Sequence, residues 1–292
     1  MKPSQHYAAI VWRQFRRHRL GVVSLAFIIL LAVTALGAKF IADDQPHRPI
    51  PYRPGSYDLS QVLMPPSSAH WFGTDGDGRD VAAQMVWGAR VSLSVGCVAV
   101  GIAVVVGIFF GGLAGYYGGK IDIVISRFIE VMMCFPTFFL ILAILAFVGP
   151  SMLNVMIAIG ATGWTGVARL IRGEFLKLKQ REFILAARAL GASDLRIAVR
   201  HLLPNALAPV LVSATFGVAG AILSEAALSF LGFGVPPQVP SWGSLLSQAQ
   251  EFMDIAWWLV VIPAAAIFLT VTALNLVGEA LRDAIDPRLK GL

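Results

Sequence analysis

The sequence predicts an all-α integral membrane protein with six membrane-spanning helices and both termini in the cytoplasm. Its 292 residues are 57% hydrophobic and only 14% charged, with a mean hydropathy of +0.73, whereas soluble domains are about 25% charged. A spanning helix needs about 20 apolar residues, and six stretches are long enough. They are residues 20–41, 91–114, 128–148, 151–168, 207–230 and 255–278.

The distribution of Lys and Arg predicts the orientation of these spans. Of the 23 basic residues, 18 fall in one set of termini and connections and five in the other. The basic-rich set comprises residues 1–19, 115–127, 169–206 and 279–292. Because Lys and Arg collect on the cytoplasmic side, we expect both termini in the cytoplasm and the spans in contact with membrane lipid.

The N-terminal segment predicts a surface helix followed by an uncleaved span. Residues 1–19 are basic and are expected to lie along the inner membrane surface as an amphipathic helix. The apolar core at 20–41 is longer than the roughly 7–15 residues of a secretory signal. We therefore assign it as the first transmembrane helix, followed by an outer loop at 42–90, which becomes a periplasmic loop if the family resemblance given below holds.

Three features inside the spans leave alternatives open. Pro136 and Pro263 are expected to kink their helices. Glu225 is the one carboxylate well inside a span, so it should face a partner or water: it could line a path, pair with another subunit, or be hydrogen-bonded within the chain. A four-residue glycine repeat at the inner end of span two predicts close helix packing, either within this chain or against a partner or moving gate. It consists of Gly107, Gly111, Gly115 and Gly119.

The cytoplasmic connection 169–206 contains a predicted pair of short helices. Residues 181–190 read as a helix that Gly191 ends in a left-handed conformation. Ser193 or Asp194 can cap the next helix, and Pro204 either ends that helix or opens the next span. A DNA-binding helix-turn-helix is disfavoured, because membrane spans on both sides leave no compact domain to carry it. We therefore expect no nucleic acid partner.

This stretch resembles the coupling loop of the inner-membrane permeases of ATP-binding-cassette (ABC) importers. The pattern Glu-Ala-Ala, three residues, Gly, nine residues, Ile-x-Leu-Pro aligns with this chain, except that Leu185 replaces Glu and His201 replaces Ile. In the family this loop docks on the ATPase subunit. The resemblance implies coupling roles for Ala186, Ala187, Arg188, Gly191, Ala192, Ser193, Asp194 and Pro204.

Three further segments resemble the dipeptide, oligopeptide and nickel branch of these importers, and specifically its C-type permease. They are residues 70–93, 224–246 and 275–289. The resemblance implies a type I ABC importer permease fold, with a five-span core at 91–292. It also implies docking or gating roles for Asp75, Arg79 and Asp80, although the residues by themselves predict that Arg79 pairs with a nearby Asp to fix its loop.

The family resemblance implies the partners and the substrate. A second, B-type permease would share the translocation path. Two ABC ATPases would bind ATP and Mg²⁺ and supply the energy, and a periplasmic or lipoprotein binding protein would deliver short peptides. Nickel or another small solute is the alternative cargo, and a stand-alone secondary transporter or channel is the alternative of another class.

Several functions are disfavoured by what the sequence lacks. Its one Gly-Lys pair, at Gly119, is not part of a nucleotide-binding GxxxxGK[ST] loop. The acidic loop around Asp75 does not match the spacing of an EF-hand. We expect no catalytic residues, no metal and no cofactor in this chain, and hence no enzyme.

Overall fold

The computed structural model describes residues 7–43, 47–56, 58–236 and 238–285, and within those ranges the chain forms helices and loops and no β-strand. The helices are α1 (Tyr7–Phe15), α2 (Arg19–Leu36), α3 (Ala38–Ile41), α4 (Val81–Tyr117), α5 (Gly119–Cys134), α6 (Thr137–Val148), α7 (Met152–Leu178), α8 (Glu182–Ala189), α9 (Asp194–Arg196), α10 (Leu203–Phe230), α11 (Trp242–Gln248) and α12 (Trp257–Ile285). The all-α prediction is therefore confirmed for the described part of the chain.

Four helices in the described residues are long and apolar enough to cross a membrane. They are α2, α4, α10 together with the turns that precede it, and α12. The α5–α6 pair would be a fifth if it counts as one span. The predicted number of six spans, and the side on which the termini lie, remain predictions.

The predicted third span, 128–148, is broken. α5 and α6 meet at an angle of 86° across Phe135 and Pro136. Proline has no N–H to donate and disfavours helical geometry in the residue before it, and Phe135 is extended at ψ 131°. Pro263, by contrast, lies inside the uninterrupted α12.

The predicted fourth span, 151–168, lies in α7, a helix that is long enough to span a membrane but is not among the four most apolar ones. Its glycines and threonines suit a helix that packs against protein, because small residues let two backbones approach. Gly111 of α4 lies against this helix: an added methyl group there would sit 2.8 Å from Cα of Ala168. The glycine repeat thus packs within the chain at Gly107, Gly111 and Gly115, whereas Gly119 begins α5 in open space.

α4 is the central helix, in contact with α2, α5, α7 and α10. Its first residue follows the segment 58–80, and the indole of Trp258 at the start of α12 donates to the carbonyl of Thr74 in that segment. We call this end of the bundle, with residues 47–80 and 231–256, the loop end. At the opposite end, Phe15 of α1 packs beside Ala280 of α12, and residues 179–202 form what we call the helix-pair end.

Candidate functional site

The helix pair has the geometry that its sequence predicts. Gly191 ends α8 with φ 80°. Its N–H donates to the carbonyl of Arg188, and the next N–H donates to the carbonyl of Ala187, the two hydrogen bonds of a Schellman motif. Ser193 caps α9 by accepting from the N–H of Arg196 at 3.4 Å. The glycine therefore sets a fixed angle between two short helices.

The second helix of the pair does not stop at Pro204. A π-helical turn, Ile197–Leu202, leads from α9 directly into α10, and Pro204 lies in the first turn of α10. Because proline has no N–H to donate, one helical hydrogen bond is missing at this junction, but the chain continues through it as a helix. Of the two sequence alternatives, Pro204 opens the span, so α9 and α10 are continuous.

The helix pair is anchored on one face and exposed on the other. Ile184, Ile197 and Leu202 are fully buried in a cluster with the ends of α4 and α7. Leu190 is 88% exposed and Leu195 is 74% exposed. Apolar side chains exposed together on a hydrophilic connection indicate a protein contact surface. The residues Ala186, Arg188, Gly191, Ser193 and Asp194 are also exposed, whereas Ala187 and Ala192 are half-buried.

Two of the predicted coupling residues contact α4. The hydroxyl of Tyr116, near the end of α4, donates to the carboxylate of Asp194 at 2.5 Å. The guanidinium of Arg188 donates to the same hydroxyl at 3.5 Å. Asp194 therefore does not cap α9, which was the other sequence alternative, but holds it to α4.

A cleft of about 260 Å³ lies between α4, α6, α7 and α10. None of the described residues that line it is charged; the lining is small, hydroxyl-bearing and glycine-rich. An added methyl group at Gly166 of α7 or at Gly220 of α10 would meet nothing within 4 Å. Since glycine in a helix costs up to about 1 kcal/mol relative to alanine, packing within this chain does not account for these two glycines. The cleft wall therefore leaves room beside these glycines for a molecule that is not part of this chain.

At the loop end, Asp75 and Arg79 hold the segment before α4 in shape. Asp75 is buried, and its carboxylate accepts from the side chains of Arg79 and Gln84, each at 2.8 Å. Arg79 reaches Gln248 of α11 at 2.9 Å. The predicted pairing of Arg79 with an aspartate is therefore present, and it ties residues 75–84 to α11.

Asp80 is also buried in the loop end. It caps α4 by accepting from the N–H of Ala83 at 2.7 Å. Its other oxygen lies 2.8 Å from Nδ1 of His70, whose Nε2 lies 2.6 Å from the amide oxygen of Gln61. Asp77, with a side chain 65% exposed, also pairs with the guanidinium of Arg79 at 2.6 Å; it is the exposed member of the three aspartates at 75, 77 and 80.

Glu225 is fully buried and hydrogen-bonded within the chain. Its carboxylate accepts from the hydroxyls of Ser229 at 2.7 Å, Ser241 at 2.8 Å and Ser92 at 3.4 Å. Each of these hydroxyls also accepts from a backbone N–H. The carboxylate thus joins α10 to α4 and to the cap of α11, and it does not line the cleft. The third sequence alternative, hydrogen bonding within the chain, describes this geometry.

The sequence analysis missed Tyr116 and the cleft glycines. No pattern distinguishes Tyr116 from its neighbour Tyr117, since only the fold brings it to Asp194. The glycines did leave a signal: Gly163 and Gly166 in α7, like Gly217 and Gly220 in α10, are three residues apart and share a helix face.

Comparison with known families identifies the chain. The family model described as the inner membrane component of binding-protein-dependent transport systems matches residues 107–291, more than half of the chain. The chain belongs to this family. A second model, the N-terminal transmembrane domain of oligopeptide transport permease C, matches residues 7–66. The predicted membership among ABC importer permeases is confirmed.

Relatives of this permease align over nearly its whole length. It is 41% identical over 99% of its length to a dipeptide transport system permease protein, DppC, of Alkalihalophilus pseudofirmus, covering 94% of that protein. It is 43% identical over 96% of its length to a glutathione transport system permease protein, GsiD, of Escherichia coli, covering 90% of it. The DppC of Bacillus subtilis is 37% identical over 99% of this chain and 88% of its own.

Solved structures share the fold of the permease. The MetNI methionine ABC transporter, in an inward-facing form, matches with a TM-score of 0.57 at 20% identity, over 70% of this chain and 98% of that one. An amino acid ABC transporter matches with a TM-score of 0.52 at 23% identity, over 69% of this chain and 94% of its own. The fold is therefore that of an ABC importer permease.

Proposed function

We propose that this permease forms, with a second B-type permease, the path by which an ABC importer moves short peptides across the inner membrane. The observation that carries the proposal is the helix pair, whose apolar side chains are exposed. The chain belongs to the permease family and has no nucleotide-binding loop of its own, so another subunit must bind the nucleotide. Two separate ATPase subunits bind ATP and Mg²⁺, and their closure moves the helix pair. A periplasmic or lipoprotein binding protein supplies the cargo.

The choice of peptides as cargo rests on the relatives. Dipeptide and glutathione permeases both align over nearly the whole chain, and both cargoes are short chains of amino acids. The cleft has no charged side chain and is lined by small apolar residues, glycines and four hydroxyls, so it does not select for a charge on a peptide side chain. It supplies no ligand set for nickel, which prefers nitrogen-rich coordination.

The cleft is proposed as this chain's part of the path wall. Open glycines at Gly166 and Gly220 leave space for a substrate that passes between two permeases. In alternating access, the helices around such a site rock so that it opens to one side at a time. α6, the second helix of the bent α5–α6 pair, and α10 border the cleft, and α10 continues directly from the helix pair.

The orientation follows from the charges. With 18 of 23 basic residues on one side, the helix-pair end faces the cytoplasm, and residues 1–19 lie along the inner membrane surface. The loop end then faces the periplasm, as the charge count predicts for the connections 42–90 and 231–254. We propose that the binding protein docks there on exposed side chains such as Asp77, over a loop that Asp75, Arg79 and Asp80 keep in shape.

Co-purification from native membranes tests the role of the helix pair. Leu190→Asp places a charge on a side chain that is 88% exposed, so the fold should tolerate it, but a buried contact with an ATPase should not. The matched control is Leu59→Asp, since Leu59 is 73% exposed at the loop end. We expect wild type and Leu59→Asp to bring down ATPases and a second permease, and Leu190→Asp to keep only the second permease. Equal ATPase recovery with all three would remove the helix pair as the ATPase contact.

A further inference from the structure

Tyr116 contacts both halves of the helix pair with a single hydroxyl. Its side chain is 8% exposed, and the hydroxyl donates to Asp194 of α9 and accepts from Arg188 of α8. These two residues lie on either side of Gly191. The hydroxyl therefore fixes the angle of the pair relative to α4, and a hydrogen bond to a charged group is stronger than one between neutral groups.

The backbone around Tyr116 is held in place by a lysine. The ammonium of Lys179, just after α7, donates to the carbonyl of Tyr116 at 3.3 Å and to that of Gly115 at 3.5 Å. A cation at these last carbonyls also stabilises the negative end of the α4 dipole. The Tyr116 ring packs in the same cluster as Phe175 of α7 and Ile184 of α8. A displacement of the pair therefore also acts on the end of α4.

α4 connects this contact to the cleft. Ala99, Val100 and Ala103 of α4 line the cleft, and α4 is one unbroken helix as far as Tyr117. At 1.5 Å per residue, Tyr116 lies about 20 Å along the helix from Ala103. A helix held along its length by α7 transmits a push at its end to the cleft wall.

We propose that Tyr116 is a positioning residue that transmits movement of the helix pair to α4, and hence to the cleft. The inference rests on the proposed function. It adds a second connection to the direct one, in which α9 continues into α10. If the α10 connection were sufficient, the Tyr116 hydroxyl would be dispensable for coupling.

The test measures peptide molecules transported per ATP hydrolysed, in proteoliposomes that hold the complex with its second permease, its ATPases and its binding protein. Tyr116→Phe removes only the hydroxyl. We expect about a tenfold lower ratio of transport to hydrolysis, from the loss of a hydrogen bond to a charged group, with ATPases still bound. Tyr117→Phe is the matched control, because the neighbouring side chain is 55% exposed, and it should match wild type.

Variants of Asp194, which accepts the hydrogen bond from Tyr116, distinguish loss of this contact from general damage to the structure. Asp194→Asn keeps an acceptor for the hydroxyl and should retain most of the coupling, whereas Asp194→Leu should behave like Tyr116→Phe. The double variant Tyr116→Phe/Asp194→Leu should be no worse than either single one, since both remove the same interaction. A wild-type ratio in Tyr116→Phe overturns the inference, and so does loss of the ATPases from that variant. Absence of ATP-dependent uptake in wild type would instead defeat the proposed function itself.

Discussion

The adjacent glycines Gly111 and Gly112 allow the packing of α4 on α7 to be tested with one substitution at two positions. A methyl group at Gly111 would lie 2.8 Å from Cα of Ala168 and closer still to its carbonyl oxygen, so the helices must separate. A methyl group at Gly112 would lie 3.5 Å from the ring of Phe175, an ordinary contact. Both substitutions to alanine gain the same helix propensity, up to about 1 kcal/mol, so that term cancels in the comparison.

The difference between the two variants is therefore the cost of overpacking, about 1–3 kcal/mol. At roughly 2–4 °C per kcal/mol for a chain of this size class, Gly111→Ala should unfold several degrees below Gly112→Ala. Thermal unfolding of the purified protein in mild detergent measures this, with Gly112→Ala expected at or above wild type. Equal midpoints for the two variants, or a lower one for Gly112→Ala, would refute the proposed packing of α4 against α7.

Two further substitutions probe the cleft and the buried carboxylate. Gly220→Leu fills open space in the cleft and should abolish peptide uptake while the second permease still co-purifies. The control is Gly101→Leu, at an open glycine of α4 outside the cleft lining, which should leave uptake intact. Loss of the second permease from Gly220→Leu would make this face a subunit interface instead. Glu225→Ala removes the acceptor of three buried hydroxyls. A buried hydroxyl left without its partner costs about 1–3 kcal/mol, so this variant should unfold at a lower temperature than wild type. Glu251→Ala, at an exposed side chain, should stay within about 0.5 kcal/mol of wild type. Similar unfolding midpoints for the two variants would contradict the described network.

The helix pair was predictable because its determinants are local. A glycine that stops one helix and a serine that caps the next are neighbours in the chain, and Gly191 and Ser193 take these roles in the structure. The all-α class followed from composition, which does not depend on tertiary contacts. The continuity of α9 into α10 was left open, because a proline reads equally as the end of one helix or the first turn of the next.

The contacts between distant segments were not predictable in the same way. The partner of Tyr116 lies 78 residues away along the chain, and Glu225 accepts from Ser92 at a separation of 133 residues. The single sequence held no signal for either pair. Asp75, Arg79 and Asp80 were recognised within the segment 70–93, but the contact of Arg79 with Gln248 of α11 reaches far outside that segment.

ATP-dependent peptide uptake tests the central claim most directly. Proteoliposomes containing the chain, its second permease and the ATPases would receive binding protein and a radiolabelled dipeptide outside and ATP inside. We predict uptake that requires both ATP and the binding protein and is lost with Leu190→Asp. Uptake by the chain without ATPases, driven by an ion gradient and unaffected by Leu190→Asp, would contradict the account and indicate a secondary transporter.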